Sequence, residues 1–273
     1  MAAHPGRPGY CGFFRGAETT TVMSVTPCSG PASAAHDSLA NPAFTRSEAR
    51  GFTALQARLV DRIKRAAIRH LHASASGERL LLRMYLDAEE ASLGILREQL
   101  RQKPPGWLAR QIRQHLAEEQ IHTTLFGAAL DAKGGRSRSA LTPPGLSRRK
   151  LARWHQLANQ HAHCFAHGAL VPAYATTMCA EQMAARILHR HCETIGSAHA
   201  LHALFATILA DENRHVRLCA HTLQRLVAPH EMASLATLLA EVRKIEAAFG
   251  ISGALALYVA GLIGRAWPDG GAR

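Results

Sequence analysis

From about residue 47 onward, apolar residues recur every three or four positions, the spacing that lines one face of an α-helix. Leu55, Leu59, Ile63 and Ala67 form the first such stripe and predict a helix over about 47–72. A second helix is predicted over about 78–101, closed by Pro104 and Pro105, which cannot continue it. A third covers about 106–132 and ends at Gly134–Gly135, before the polar loop "GGRSRSALTPPGLS". Helical pattern returns over about 147–194, with a break expected near Gly168 and Pro172. Another helix spans about 197–227, stopped by Pro229, and a further one covers about 230–248. No segment carries the two-residue alternation of a strand, so the pattern predicts an all-α bundle. Residues 1–46 are rich in Gly, Pro, Ser, Thr and Ala without periodicity. They read as a mostly disordered tail ahead of a helical domain over 47–273, with its core at about 78–227. Met23 is an alternative start to Met1.

The stripes contain charged residues where apolar ones should continue. One runs Leu201, Phe205, Ile208, Glu212, His215, Cys219 and another runs Ile112, Leu116, Glu119, His122, Phe126. Two more carry a single acid each: Leu82, Leu86, Glu89, Leu93, Leu96 and Met178, Glu181, Ala185, Leu188, Cys192. Residues three or four apart share a helix face, so all four Glu and both His point inward. Glu90 rotates off that face. A buried carboxylate must be paired, protonated or bound to a metal.

The segments form an internal repeat. "AEEASLGILRE" at 88–98 aligns with "AEQMAARILHR" at 180–190, and "LAEEQIH" at 116–122 with "LADENRH" at 209–215. The Glu spacings, 119 − 89 = 30 and 212 − 181 = 31, carry the chain up one helix and back down another to the same height. A lone Glu-x-x-His is expected about once by chance in this composition, but a doubled acid-Glu-x-x-His on buried stripes is not.

Composition changes the picture little. The 273 residues are 47% hydrophobic and only 5% aromatic, enough for a sizeable core. The net charge of +12 belongs mainly to the body, because residues 1–46 hold three Arg and two acids. A basic body favours acidic partners, such as RNA or an acidic carrier protein. "ISGALALYVAGLIG" at 251–264 falls short of the ~18 apolar residues needed to span a bilayer, so no membrane span is expected and it reads as a core or docking helix. Six scattered Cys without CxxC spacing point to a cytoplasmic protein. "SRRKLAR" at 147–153 is the best docking patch for an acidic partner, and His163 with His167 a weak second metal candidate.

The doubled Glu-x(~30)-GluxxHis pattern, covering about 80–220, resembles the ferritin-like di-iron carboxylate proteins. The resemblance implies a four-helix bundle with additional flanking helices. It implies two Fe ions, with Mn as the alternative, O2 as co-substrate and an external electron donor protein or reductant. Glu119 and Glu212 would be the bridging ligands and Glu89 and Glu181 the terminal ones, with His122 and His215 one per metal. Asp211 would orient His122 and Glu118 would orient His215. Glu118 is one methylene longer than the usual Asp, so that second contact is expected to be the looser. One N-oxygenase relative carries an extra His four residues before its last bridging Glu. That position is Ile208 here, so a plain four-Glu, two-His site is expected. The radical Tyr of ribonucleotide reductases is replaced by Phe126.

Ala88, Ser92, Phe126 and Ala185 are expected to line a small dry pocket. The reaction expected is O2-dependent oxidation of an organic substrate, of the oxygenase, hydroxylase or N-oxygenase type. The alternatives are a ferroxidase without organic substrate and a tRNA-modifying hydroxylase. A homodimer is among the expected assemblies.

Overall fold

The structure, a computed structural model, describes Phe44, residues 51–134 and residues 144–266. All belong to one compact unit. The polar loop after Gly134 and most of the stretch read as a tail lie outside the described residues.

Seven α-helices and no strand are found among the described residues: α1 Phe52–His72, α2 Ala75–Arg101, α3 Gly106–Ala132, α4 Pro144–His161, α5 Leu170–Ile195, α6 His202–Leu226 and α7 Met232–Ala266. Four of these make the bundle. α2 pairs with α3 and α5 with α6, and the two hairpins meet where α3 touches α6. α1 and α7 pack along each other and cover the bundle from outside, with α4 against α5 and α7.

The helix ends follow from local chemistry. Ser74 caps α2 by accepting a hydrogen bond from the Gly77 N–H at 3.1 Å. Gly77 itself is required, since a Cβ there would sit 2.2 Å from the Leu71 carbonyl oxygen. The break between α4 and α5 falls at Gly168, whose φ of +53° suits glycine, while Pro172 sits in the first turn of α5 where a missing N–H costs nothing. Glu231 ties the start of α7 to that break, accepting from the Ala228 N–H at 2.9 Å and the Ala166 N–H at 2.6 Å.

Two apolar clusters flank the bundle's middle. One gathers Leu96, Leu108, Ile112, Tyr174, Met178, Cys219 and Leu223; the other gathers Leu82, Leu86, Phe126, Leu130, Leu188 and Phe205. Each buried Leu or Phe contributes roughly 1.5–3 kcal/mol of transfer free energy.

Three expectations change. Phe44, inside the stretch read as tail, is buried in the first cluster, and its carbonyl accepts from Gln182 Nε2 at 3.2 Å. The stripe of α1 is buried only at its end: Ala67 is covered, but Leu55 and Leu59 are 64% and 56% exposed. The apolar 251–264 stretch is not a separate short element but the second half of α7. Pro229–Ile263 is thus long and apolar enough, by length and composition only, to cross a membrane. Ile251, Leu255, Val259 and Leu262 are exposed along it.

Candidate metal centre

Glu89 on α2, Glu119 and His122 on α3, Glu181 on α5, and Glu212 and His215 on α6 converge in the layer between the two apolar clusters, all buried. They fall into two groups whose ligand atoms lie within 4.8 Å of one another. One comprises Glu89, Glu119, His122 and Glu212; the other comprises His115, Glu119, Glu181 and His215. Glu119 belongs to both.

His115 is the addition. It lies four residues before Glu119, is 1% exposed, and places Nε2 3.0 Å from Glu119 Oε1 and 3.5 Å from Glu181 Oε1. The centre therefore has three imidazoles and four carboxylates, not the plain two-His set. Ile112, His115, Glu119, His122 and Phe126 are spaced 3, 4, 3 and 4, so His115 was on the stripe all along. The signal that could have found it was the position four before Glu119, the counterpart of Ile208 in the other half.

The outer carboxylates settle the histidine tautomers. His122 Nε2 is 3.1 Å from Asp211 Oδ2, and His215 Nε2 is 2.8 Å from Glu118 Oε2. Each Nε2–H donates outward to its carboxylate, which leaves the Nδ1 lone pair pointing inward. The extra methylene of Glu118 does not loosen its contact, because the side chain reaches across to α6 at the shorter distance of the two. Arg214 lies between Asp211 and Glu118 and pairs with both.

Inward, those lone pairs find only oxygen. His122 Nδ1 is 3.9 Å from Glu89 Oε2, 3.8 Å from Glu119 Oε2 and 3.8 Å from Glu212 Oε1. His215 Nδ1 approaches Glu119 Oε1 at 3.1 Å without hydrogen-bonding alignment. Both Nδ1 atoms and Glu212 Oε2 are buried with no hydrogen-bond partner. Acceptors turned toward one another in a dry layer are costly unless a cation sits among them. That arrangement, in seven donors of hard oxygen and imidazole, fits a metal ion.

The acidities agree. Burial and the neighbouring Glu119 push Glu89 up to about 11, and burial pushes Glu181 up to about 8. Glu212 is raised by burial and by Glu181. Glu119 alone is held down: burial opposes its ionisation, but the His115 hydrogen bond and the adjoining His122, His215 and Glu89 side chains outweigh it. Without a cation, three of the four carboxyls hold their protons well above the usual range; metal ions would take the place of those protons.

A cavity of about 430 Å³ reaches Glu181 from the side of the first apolar cluster. Ser92, Leu96 and Gln99 of α2, Trp154 of α4, and Thr176, Thr177 and Ala180 of α5 line it. Of the expected pocket residues, Ser92 is there. Ala88 is exposed, because the residue before a stripe position turns about 100° off the face. Phe126 and Ala185 are buried but lie outside that lining. On α5 the open space lies N-terminal to Glu181, the direction in which helical side chains lean.

The remaining candidates stay out of the centre. His163 and His167 are exposed in the turn between α4 and α5. In the basic segment, Lys150 sits over the Trp154 ring at 4.9 Å, while Arg149 and Arg153 are exposed.

No family model, curated protein or solved structure matches the chain. What defines the class is therefore the site itself: a helical bundle whose buried His/Glu clusters could hold a metal ion.

Proposed function

We propose that the chain is a non-haem di-iron oxidoreductase that uses O2 to oxidise an apolar organic substrate. One iron would be held by Glu89, His122 and Glu212, the other by His115, His215 and Glu181, with Glu119 shared. The resemblance of the doubled Glu-x(~30)-GluxxHis pattern to ferritin-like di-iron proteins supports this, and carboxylate–imidazole ligation suits iron or manganese. When bound, such a pair of ions supplies the electrons and open coordination positions at which O2 is reduced.

The chain's own residues do the rest. Asp211 and Glu118 hold the two imidazoles in the binding tautomer. The apolar clusters on either side keep water from the layer. Ser92, Gln99 and Thr177 give the cavity a few polar points among apolar walls, a combination that orients a small organic molecule.

The observation that carries the organic-substrate reading is the cavity ending on Glu181, which a ferroxidase has no use for. Iron-loaded protein, given O2 and a reductant, is offered a panel of apolar compounds that fit 430 Å³. We expect an oxidised organic product from the wild type and its loss in Ala180→Trp, which fills the cavity, at unchanged iron content. Ferric mineral without organic product would favour the ferroxidase alternative instead.

A further inference from the structure

Across the carboxylate layer from the cavity, the second apolar cluster encloses a chain of hydrogen-bonded side chains that this chemistry leaves unused. Tyr85 Oη is 2.5 Å from His191 Nε2, His191 Nδ1 is 2.9 Å from His72 Nε2, and His72 Nδ1 is 3.1 Å from Glu78 Oε1. Glu78 also pairs with His199 Nε2 at 3.0 Å and Lys133 Nζ at 2.5 Å. His199 is half-buried and brings the chain to solvent.

The direction of every bond follows from one proton. The Tyr85 hydroxyl is enclosed, and among the described residues its one acceptor is His191 Nε2. A buried hydroxyl proton without an acceptor is costly, so Tyr85 donates. His191 therefore carries its proton on Nδ1 and donates to His72 Nε2. His72 in turn carries its proton on Nδ1 and donates to Glu78. This ordering also bears on the metal-like grouping of His72, Glu78 and His199. The His72 nitrogen facing Glu78 bears a hydrogen and its lone pair faces His191, so the group is a hydrogen-bonded relay rather than a second metal site.

The surroundings suit charge transfer. Tyr85 stacks on Phe126 at 5.3 Å and meets Phe205 edge-on at 5.9 Å, while Phe205 also packs against His191 at 4.9 Å. Tyr85 precedes Glu89 by one helical turn, about 6 Å along the axis, and Phe126 follows His122 by one turn. Tyr85 thus stands one turn from Glu89 on its own helix and stacks on a ring one turn from His122, with its hydroxyl on the relay. Burial, helped by His72, brings His191 down to about 3, so it stands neutral and able to accept a proton.

We propose that Tyr85 is a redox-active tyrosine, giving an electron to the neighbouring metal centre and its phenolic proton to the His191–His72–Glu78 relay. The proposal rests on the di-iron reading, since the oxidant is a metal ion of that centre oxidised by O2. One electron leaves the phenol and reduces that ion by one unit. The O–H bond breaks as its proton passes to His191 Nε2. His191 gives its Nδ1 proton to His72 Nε2, and His72 gives its Nδ1 proton to Glu78. Tyr85 ends as a neutral phenoxyl radical, both imidazoles end neutral, and Glu78 ends protonated beside Lys133 and His199. Phe126 and Phe205, packed against the partly buried ring, slow the radical's reaction with solvent.

The test separates the tyrosine from the metal. Metal-free full-length protein is oxidised by photogenerated ruthenium(III) tris-bipyridine and followed by electron paramagnetic resonance. The chain has four Tyr, so Tyr85→Phe identifies the source. We expect a long-lived tyrosyl signal in wild type, none in Tyr85→Phe, and at least a roughly tenfold lower yield in His191→Phe, the usual scale for losing a buried hydrogen-bond partner. Glu78→Gln, which keeps the Tyr85–His191 bond but removes the last acceptor, is expected to shorten the signal's lifetime and serves if His191→Phe does not fold. A long-lived signal surviving in Tyr85→Phe, or unchanged yield and lifetime in both relay variants, overturns the proposal. Aerobic loading with ferrous iron should generate the same signal in wild type and not in Tyr85→Phe. A signal from the ruthenium oxidant but none from iron and O2 overturns the coupling to the metal centre while leaving the tyrosine's own chemistry intact. Iron bound at two per chain with no Tyr85 signal by either route overturns the tyrosine and leaves the centre standing.

Discussion

His122 on α3 donates from Nε2 to Asp211 on α6 across 3.1 Å, and the reciprocal pair, His215 on α6 and Glu118 on α3, closes at 2.8 Å. Each half of the bundle thus supplies the carboxylate that orients the other half's imidazole. Asp211→Ala and Glu118→Ala should each weaken metal binding by roughly 10–100-fold, the range for losing such a partner. Glu118→Asp should weaken it too, because the shorter chain no longer spans the gap to α6. Competitive metal titration reads all three, and a silent Asp211→Ala would sink the cross-half scheme.

His115→Ala should spare one ion and loosen the other. It removes a donor from the group containing Glu181 and His215 and none from the group containing Glu89 and His122. Under a limiting chelator we expect stoichiometry to fall from two ions to one. Equal loss of both ions, or of neither, would count against His115 as a ligand.

Phe44→Ala should destabilise the fold by about 3 kcal/mol, as for other fully buried aromatic truncations. Phe44 is 1% exposed and packs with Leu96 and Trp154. Thermal or denaturant melting measures this. An unchanged midpoint would mean that the segment does not dock in solution.

Acid stability should depend on Glu78. Burial opposes ionisation there, but His72 and Lys133 outweigh it and bring Glu78 down to about 2 from 4.5. A carboxylate with a depressed folded pKa stabilises the fold above its unfolded value, and the contribution is lost as pH falls through the folded one. Glu78→Gln should therefore cost about 1–2 kcal/mol at pH 7, allowing for solvent screening. The difference should shrink between about pH 4.5 and 2. A gap between wild type and variant that stays constant over that window would contradict the assignment.

The stripes made the fold legible because burial and helical period coincide in α2, α3, α5 and α6. Glu89, Glu119, His122, Glu181, Glu212 and His215 stood out because each replaced an apolar residue on such a stripe. His115 obeys the same spacing but has no counterpart in the other half, where Ile208 stands, so the repeat that marks the other six does not mark it. Leu55 and Leu59 show the limit of periodicity, which marks an apolar face without saying whether anything covers it. The relay was out of reach for a different reason. Tyr85 and His191 are 106 positions apart, and nothing local to either one announces the partner. Phe44 was likewise invisible, a single anchor in a stretch without period.

The most direct test of the account is the metal content of protein prepared with ample iron, wild type beside Glu119→Ala. Glu119 is the one side chain common to both donor groups. About two ions per chain are expected in wild type and close to none in the variant, at retained helical circular dichroism. Wild type with no bound metal, or a Glu119→Ala variant that still holds two ions, would contradict it.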